Sequence, residues 1–194
     1  PSFRLRHDKA EARRLMQAAG YGAGRRAAVN VIMPVSGGGQ MVPQPMSEAI
    51  QADLRECFFD VSFQPVDFAT ALNLLRAGAR DAAARGAHAL NIAIPSIEPT
   101  TGWIIYDSQL VNPRGVNWGY YSSPEVDARL RAVRAEFEPT AQARAMGALH
   151  AALVDEAAAL FVVHDLNPRG LSPRVRGFTQ ARNWFQDYTQ VTLA

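Results

Sequence analysis

The 194 residues, 48% apolar and 20% charged, suffice for one substantial hydrophobic core and match ordinary globular compositions. The formal net charge is only +2, Lys9 is the sole lysine among 20 basic residues, and the arginines alternate with acids along helical stretches, which argues against a nucleic-acid partner. A single cysteine, Cys57, rules out an internal disulfide, and no apolar run reaches the length of a membrane span.

The chain opens at Pro1 without an initiating methionine and reads as cut from something longer, so the lack of a leader carries no weight about export. Residues 8–19 form the first expected helix, with Asp8 and Glu11 spaced as a capping box and Gly20 as its stop. The β-branched run at 27–34 is expected to be a buried strand. The glycine- and proline-rich loop 36–45 follows, leading into a helix at 46–57. That loop lacks the Lys-Ser/Thr of a P-loop and the glycine spacing of a dinucleotide site, so a loop at a strand's C-terminal end, where open α/β sheets hold ligands, is the better reading.

A second strand at 60–67 contains Pro65, which belongs at a sheet edge or a strand end and not in a central position; Asp67 then caps a helix with Phe68, Leu72 and Leu75 on one face. Alanine-rich residues 79–87 should complete a helical turn before a third strand at 88–95. Residues 95–121 are irregular and rich in Trp and Tyr, as expected of a segment that lines a binding surface or packs under one. Two helices started by Ser123-Pro124 and Pro139 come next, the first with Val126, Leu130, Val133 and Phe137 on one stripe. A fourth strand at 160–167 and a tail with few helix signals close the chain. Strands alternating with helices define an α/β fold with a largely parallel or mixed sheet flanked by helices.

The four histidines, His7, His88, His150 and His164, have no metal-ligand spacing, and no serine sits in a nucleophile elbow. Acidic pairs such as Glu136 with Glu138, or Asp155 with Glu156, read as solvated helix faces. Glu98, beside Pro99 in the aromatic segment, is either a turn cap or a ligand contact.

The order of motifs resembles the C-terminal half of family 5 extracytoplasmic solute-binding proteins of ABC transporters, which include oligopeptide-, dipeptide- and nickel-binding members. The resemblance rests on DKAEARRLMQAAGY, on SEAIQADLRE followed by VSFQPVDFAT, on YYSSPEVDARLRAVRAE with PTAQARAMGALHAALVDEA, and on the closing VRGF. It implies a periplasmic-binding-protein-like lobe over residues 1–165, a tail over 166–194 crossing toward a first lobe absent here, and export directed by a signal in the missing part. It also implies a solute or peptide-like ligand trapped between lobes, an ABC permease as partner, no cofactor and no catalytic residue.

Aligned on Glu98-Pro99, the position where peptide-binding members hold an α-amino group with an aspartate falls on Pro95, which disfavours a free-amine peptide. The aromatic positions that surround the metal complex in nickel-binding members fall on Ala93 and Ile97. The expected ligand-binding residues are Ser96, Glu98 and Thr100, then Trp118 and Tyr120, then Gln40 and Gln44 from the glycine loop. The rivals are a hydrolase or transferase domain using Glu98 as acid or base, and an interaction module with an aromatic patch. An uncovered, apolar interlobe face would also give the fragment a surface for pairing with itself.

Overall fold

Strand β1 (Ala27–Pro34) lies between β2 (Phe59–Val66) and β3 (Ala89–Leu90), parallel to both, in the order β2-β1-β3. The computed structural model describes residues 7–37, 42–94, 101–163, 168–181 and 185–194, with the side chains of residues 101 and 102 left aside. Helix α1 (Lys9–Ala18) precedes the sheet, α2 (Pro43–Glu56) joins β1 to β2, and α3 (Phe68–Ala77) with a 3-10 turn at Ala82–Ala84 leads to β3. Because the chain moves outward from β1 to β2 and then back across β1 to β3, right-handed crossovers place α2 and α3 on opposite faces of the sheet. Ile32 and Leu74 meet in one core cluster with Ala84 and Trp118, which fixes the α3 face. On the other face α2 packs on β2, and Gln51 Nε2 donates to the Val61 carbonyl at 2.6 Å.

Pro65 shows why β2 can only be an edge. Ala27 N donates to Phe58 O and Val35 N to Val66 O, so in the parallel register the even-numbered residues of β2 turn their backbone groups toward β1. Pro65 is odd and faces outward, where its missing N–H removes no ladder bond.

Helices α4 (Pro124–Ala135) and α5 (Pro139–Asp155) form a second layer around Val126, Leu130, Val133, Leu149 and Leu153, joined by Tyr106. The expected caps are present: Asp8 accepts from Ala10 N and Glu11 N, Asp67 from Thr70 N, and Ser123 from Val126 N. Glu11 is held by Arg14 at 2.6 and 2.7 Å.

Four expectations are corrected. Helix α2 begins at Pro43, so Gln44 stands in its first turn and not in the preceding loop. Phe137 lies beyond the end of α4 and is 86% exposed, which shortens the buried stripe to three residues. The third strand pairs only at Ala89–Leu90, followed by irregular chain at 91–94. Residues 160–163 of the expected fourth strand are irregular, and Leu160, Phe161, Val162 and Val163 are exposed; residues 164–167 lie outside the described residues. A strand needs a neighbour for its backbone groups, and none is formed there among the described residues. The tail contributes an antiparallel pair, β4 (Val175–Arg176) with β5 (Thr192–Leu193).

Candidate functional site

In open α/β sheets ligands gather beyond the C-terminal ends of the strands, which here are the ends of β1 and β3. These strands are neighbours, with Val31 opposite Ala89 and Ile32 opposite Leu90, and from β1 the chain passes through α2 to β2 on the other side of β1. Adjacent strands with diverging connections form a topological switch point, the crevice that open α/β sheets use for binding. The glycine loop follows β1, and the segment carrying Ser96, Glu98 and Thr100 follows the strand region of β3. Gln40, Ser96, Glu98 and Thr100 themselves lie outside the described residues.

At this end Gly37 adopts φ +74° and lies so close to Phe68, the first residue of α3, that an added Cβ would stand 3.1 Å from the ring. Gln44 Nε2 donates to Glu48 Oε1 at 2.9 Å within α2. The start of α2 is a poor anion cradle, because Pro43 and Pro45 lack N–H donors and Met46 N is bonded to Val42 O. That agrees with the missing phosphate-loop signature.

Trp118 and Tyr120 are placed elsewhere. Helix α3 has 10 residues and so spans roughly 15 Å. Phe68, beside Gly37, marks one end, whereas Tyr120 Oη and Asn112 close on Gly78 at the far end. Gln44 and Tyr120 are therefore not brought together. Trp118 is buried, 9% exposed, and its Nε1 donates to Leu74 O at 3.1 Å, so its polar atom serves the core. Tyr120 takes φ +56° and lies under the Arg80 guanidinium, 4.0 Å from ring centroid to Cζ.

The segment between the two layers is organised by residues that the sequence reading did not single out. Asn117, 1% exposed, donates through Nδ2 to Asp107 O and Tyr121 O and accepts from Tyr121 N. Asn112 Nδ2 donates to Leu75 O, Arg76 O and Gly115 O. Asp107 accepts from Arg134 Nη1 at 2.7 Å, and its carboxyl is held below the usual range by Arg134 and the Gln109 amide against an opposing effect of burial, the largest single influence. The signal available was asparagine embedded among aromatics, a residue whose burial calls for partners to its amide, which Asn117 finds at both ends and Asn112 only through Nδ2, its Oδ1 having none.

The acids at the helix ends are caps and clamps. Glu138 accepts from Thr140 N and Ala141 N at the start of α5. Glu156 accepts from Tyr121 Oη and from Ser123 Oγ, joining the end of α5 to the start of α4. These hydroxyls, Tyr121 first, lower the Glu156 pKa, while burial and then Glu156 push that of Tyr121 up to about 12. A lowered folded-state pKa means that Glu156 stabilises the fold above the ordinary carboxylate range and ceases to as pH falls through its folded value. Thermal melts of Glu156→Gln should therefore show a deficit at neutral pH that shrinks on acidification; an unchanged deficit down to pH 3 would contradict the clamp.

His88 Nδ1 accepts from Asn30 N at 2.9 Å beside β3, and His150 sits between Trp103 and Phe161 with ring centroids 6.3 and 5.5 Å away. No group of three metal-ligating side chains occurs among the described residues. Two open depressions flank the sheet, one lined by Arg26, Glu48, Gln51 and Arg55, the other by Asn30, Ser62, Gln64 and Arg85.

This architecture is an α/β fold built on a parallel sheet flanked by helices, similar in fold to solved substrate-binding proteins. It superposes on HbpA2 from Haemophilus parasuis with TM-score 0.72 and 19% identity, covering 95% of this chain and 35% of that one. A putative peptide binding protein AppA from Clostridium difficile gives 0.71 and 14%, covering 96% and 37%. Haemophilus influenzae OppA, solved in complex with RPPGFSPFR, gives 0.62 and 20%, covering 88% and 31%. The chain thus spans about a third of the length of the solved structures it matches, and the likeness establishes the fold. No protein-family model and no curated protein matches it.

Proposed function

We propose that this chain is the second lobe of a two-lobed substrate-binding component of an ABC importer, working outside the cytoplasmic membrane and delivering a polar organic or peptide-like solute to a permease. What supports this reading is the pair of neighbouring parallel strands β1 and β3, which the two expected ligand loops follow in sequence, in a fold that superposes on solved binding proteins. Such a site works by hinge closure over a concave surface and requires no catalytic group. The ligand-facing set is Ser96, Glu98 and Thr100 with Gln40, and Gln44 stands at its margin. Trp118 and Tyr120 support the lobe from the opposite end of α3. The exposed run Leu160–Val163 is the surface on which the first lobe would settle.

A thermal-shift screen of the two-lobed protein against peptides, opines, sugars and metal chelates tests this reading. Saturable stabilisation without product is expected; turnover of any of them would refute it. For the 194-residue chain alone, calorimetry should show weak or no binding of the same ligand, because half of the enclosing surface belongs to the other lobe.

A further inference from the structure

The end of α3 far from Phe68 carries arginines that form no ion pair with the described residues. Arg76 lies in the last turn of α3, Arg80 two residues beyond the capping Gly78, and Arg114 in the turn that Asn112 fastens to the same helix end. All three side chains are exposed, and none forms an ion pair with a described residue. Capping does not account for them. The Leu74 carbonyl already accepts from Gly78 N and Trp118 Nε1, and those of Leu75 and Arg76 accept from Asn112 Nδ2. The acid in this turn, Asp81, is engaged with Ala83 N at the start of the 3-10 turn.

Arg80 is also held in one orientation. Its guanidinium lies over the Tyr120 ring, and Tyr120 is fixed by a left-handed backbone and by its N–H bond to Asn117 O. Stacking on an aromatic face leaves the in-plane N–H groups of arginine pointing outward, the geometry that receives a carboxylate through two parallel bonds. We propose that this arginine cluster is a docking surface for a carboxylate-rich segment of a partner protein. A lipid surface is disfavoured, because the exposed large apolar side chains, among them Leu15, Val42, Phe137 and Leu160–Val163, lie on other segments. Because the surface lies at the opposite end of α3 from the ligand loops, this docking does not depend on the identity of the trapped solute.

The test is fluorescence anisotropy of a labelled hexaglutamate peptide titrated with the 194-residue chain at low and high salt. Saturable, salt-sensitive binding is expected, weakened at least about tenfold by Arg80→Gln and by less in Arg80→Lys, which keeps the charge but not the planar fork. Arg144→Gln, an exposed arginine on α5, should change nothing. Circular dichroism establishes that each variant is folded. Absence of binding, an equal loss in Arg144→Gln, or binding to phosphatidylglycerol vesicles that outlasts Arg80→Gln while the peptide is ignored would each overturn the proposal.

Discussion

Replacing Trp118 with alanine should destabilise the lobe by about 3–5 kcal/mol, read as a fall in Tm of roughly 6–20 °C for a domain of this size. The indole fills the space between Ile32, Leu74 and Ala84, bridging the β1 face and α3, and the surrounding backbone cannot collapse freely because Ala79 N is bonded to the Trp118 carbonyl. Trp118→Phe should cost much less. It retains a ring in the cavity, and the Leu74 carbonyl that loses the indole N–H keeps the Gly78 amide. A tryptophan serving as a solvent-facing pocket wall would behave differently, since surface substitutions away from packing features usually change stability by under about 0.5 kcal/mol. Urea melts of the two variants therefore separate the roles: a small effect of Trp118→Ala would return this residue to the ligand surface.

Local chemistry made much of the scaffold legible. Asp8, Asp67 and Ser123 are caps whose signals need only their neighbours, and Pro65 pointed to an edge or a strand end because its missing donor would cost a central strand a ladder bond. Apolar spacing identified the stripe of Val126, Leu130 and Val133. It failed at Phe137 because periodicity does not know where a helix stops: α4 ends two residues earlier, and the side chain points into solvent. Leu160–Val163 failed for the opposite reason. Its composition is that of a strand, yet pairing is a property of the neighbour as much as of the segment, and the described residues supply no neighbour.

The aromatic segment shows the limit most clearly. Trp118 and Tyr120 stand two positions apart, and in an extended chain that spacing puts both on one face. The left-handed backbone at Tyr120 breaks that relation, so one ring enters the core while the other lies under Arg80. Proximity in sequence to Ser96, Glu98 and Thr100 also said nothing about which end of α3 the segment would reach. The start of the glycine loop was legible because it follows β1 directly, and the end of a parallel strand has a defined position in the fold; Gly37, beside Phe68, is the described glycine of that loop.

Asn117→Asp should be the more informative lesion at the junction of the two layers, because its cost depends on pH. The native amide donates to the carbonyls of Asp107 and Tyr121 while accepting from Tyr121 N, and the residue is 1% exposed. An aspartate keeps the shape and the acceptor but turns an ionised oxygen toward two carbonyl oxygens in a buried site. Burial and facing acceptors both favour the protonated acid, which can still donate one of the two bonds, so the folded-state pKa of the new group rises above its unfolded value. The folded state then binds the extra proton, and stability falls as pH climbs from the ordinary carboxylate range toward neutrality. Losing the bonds alone, as in Asn117→Ala, leaves buried groups unpartnered at about 1–3 kcal/mol each and should show little dependence on pH. Denaturant melts at pH 4 and pH 7 distinguish the two: Asn117→Asp should recover a large part of its deficit at pH 4 and Asn117→Ala should not. Parallel behaviour of both variants would mean that the Asn117 amide does not join the layers as the hydrogen bonds indicate.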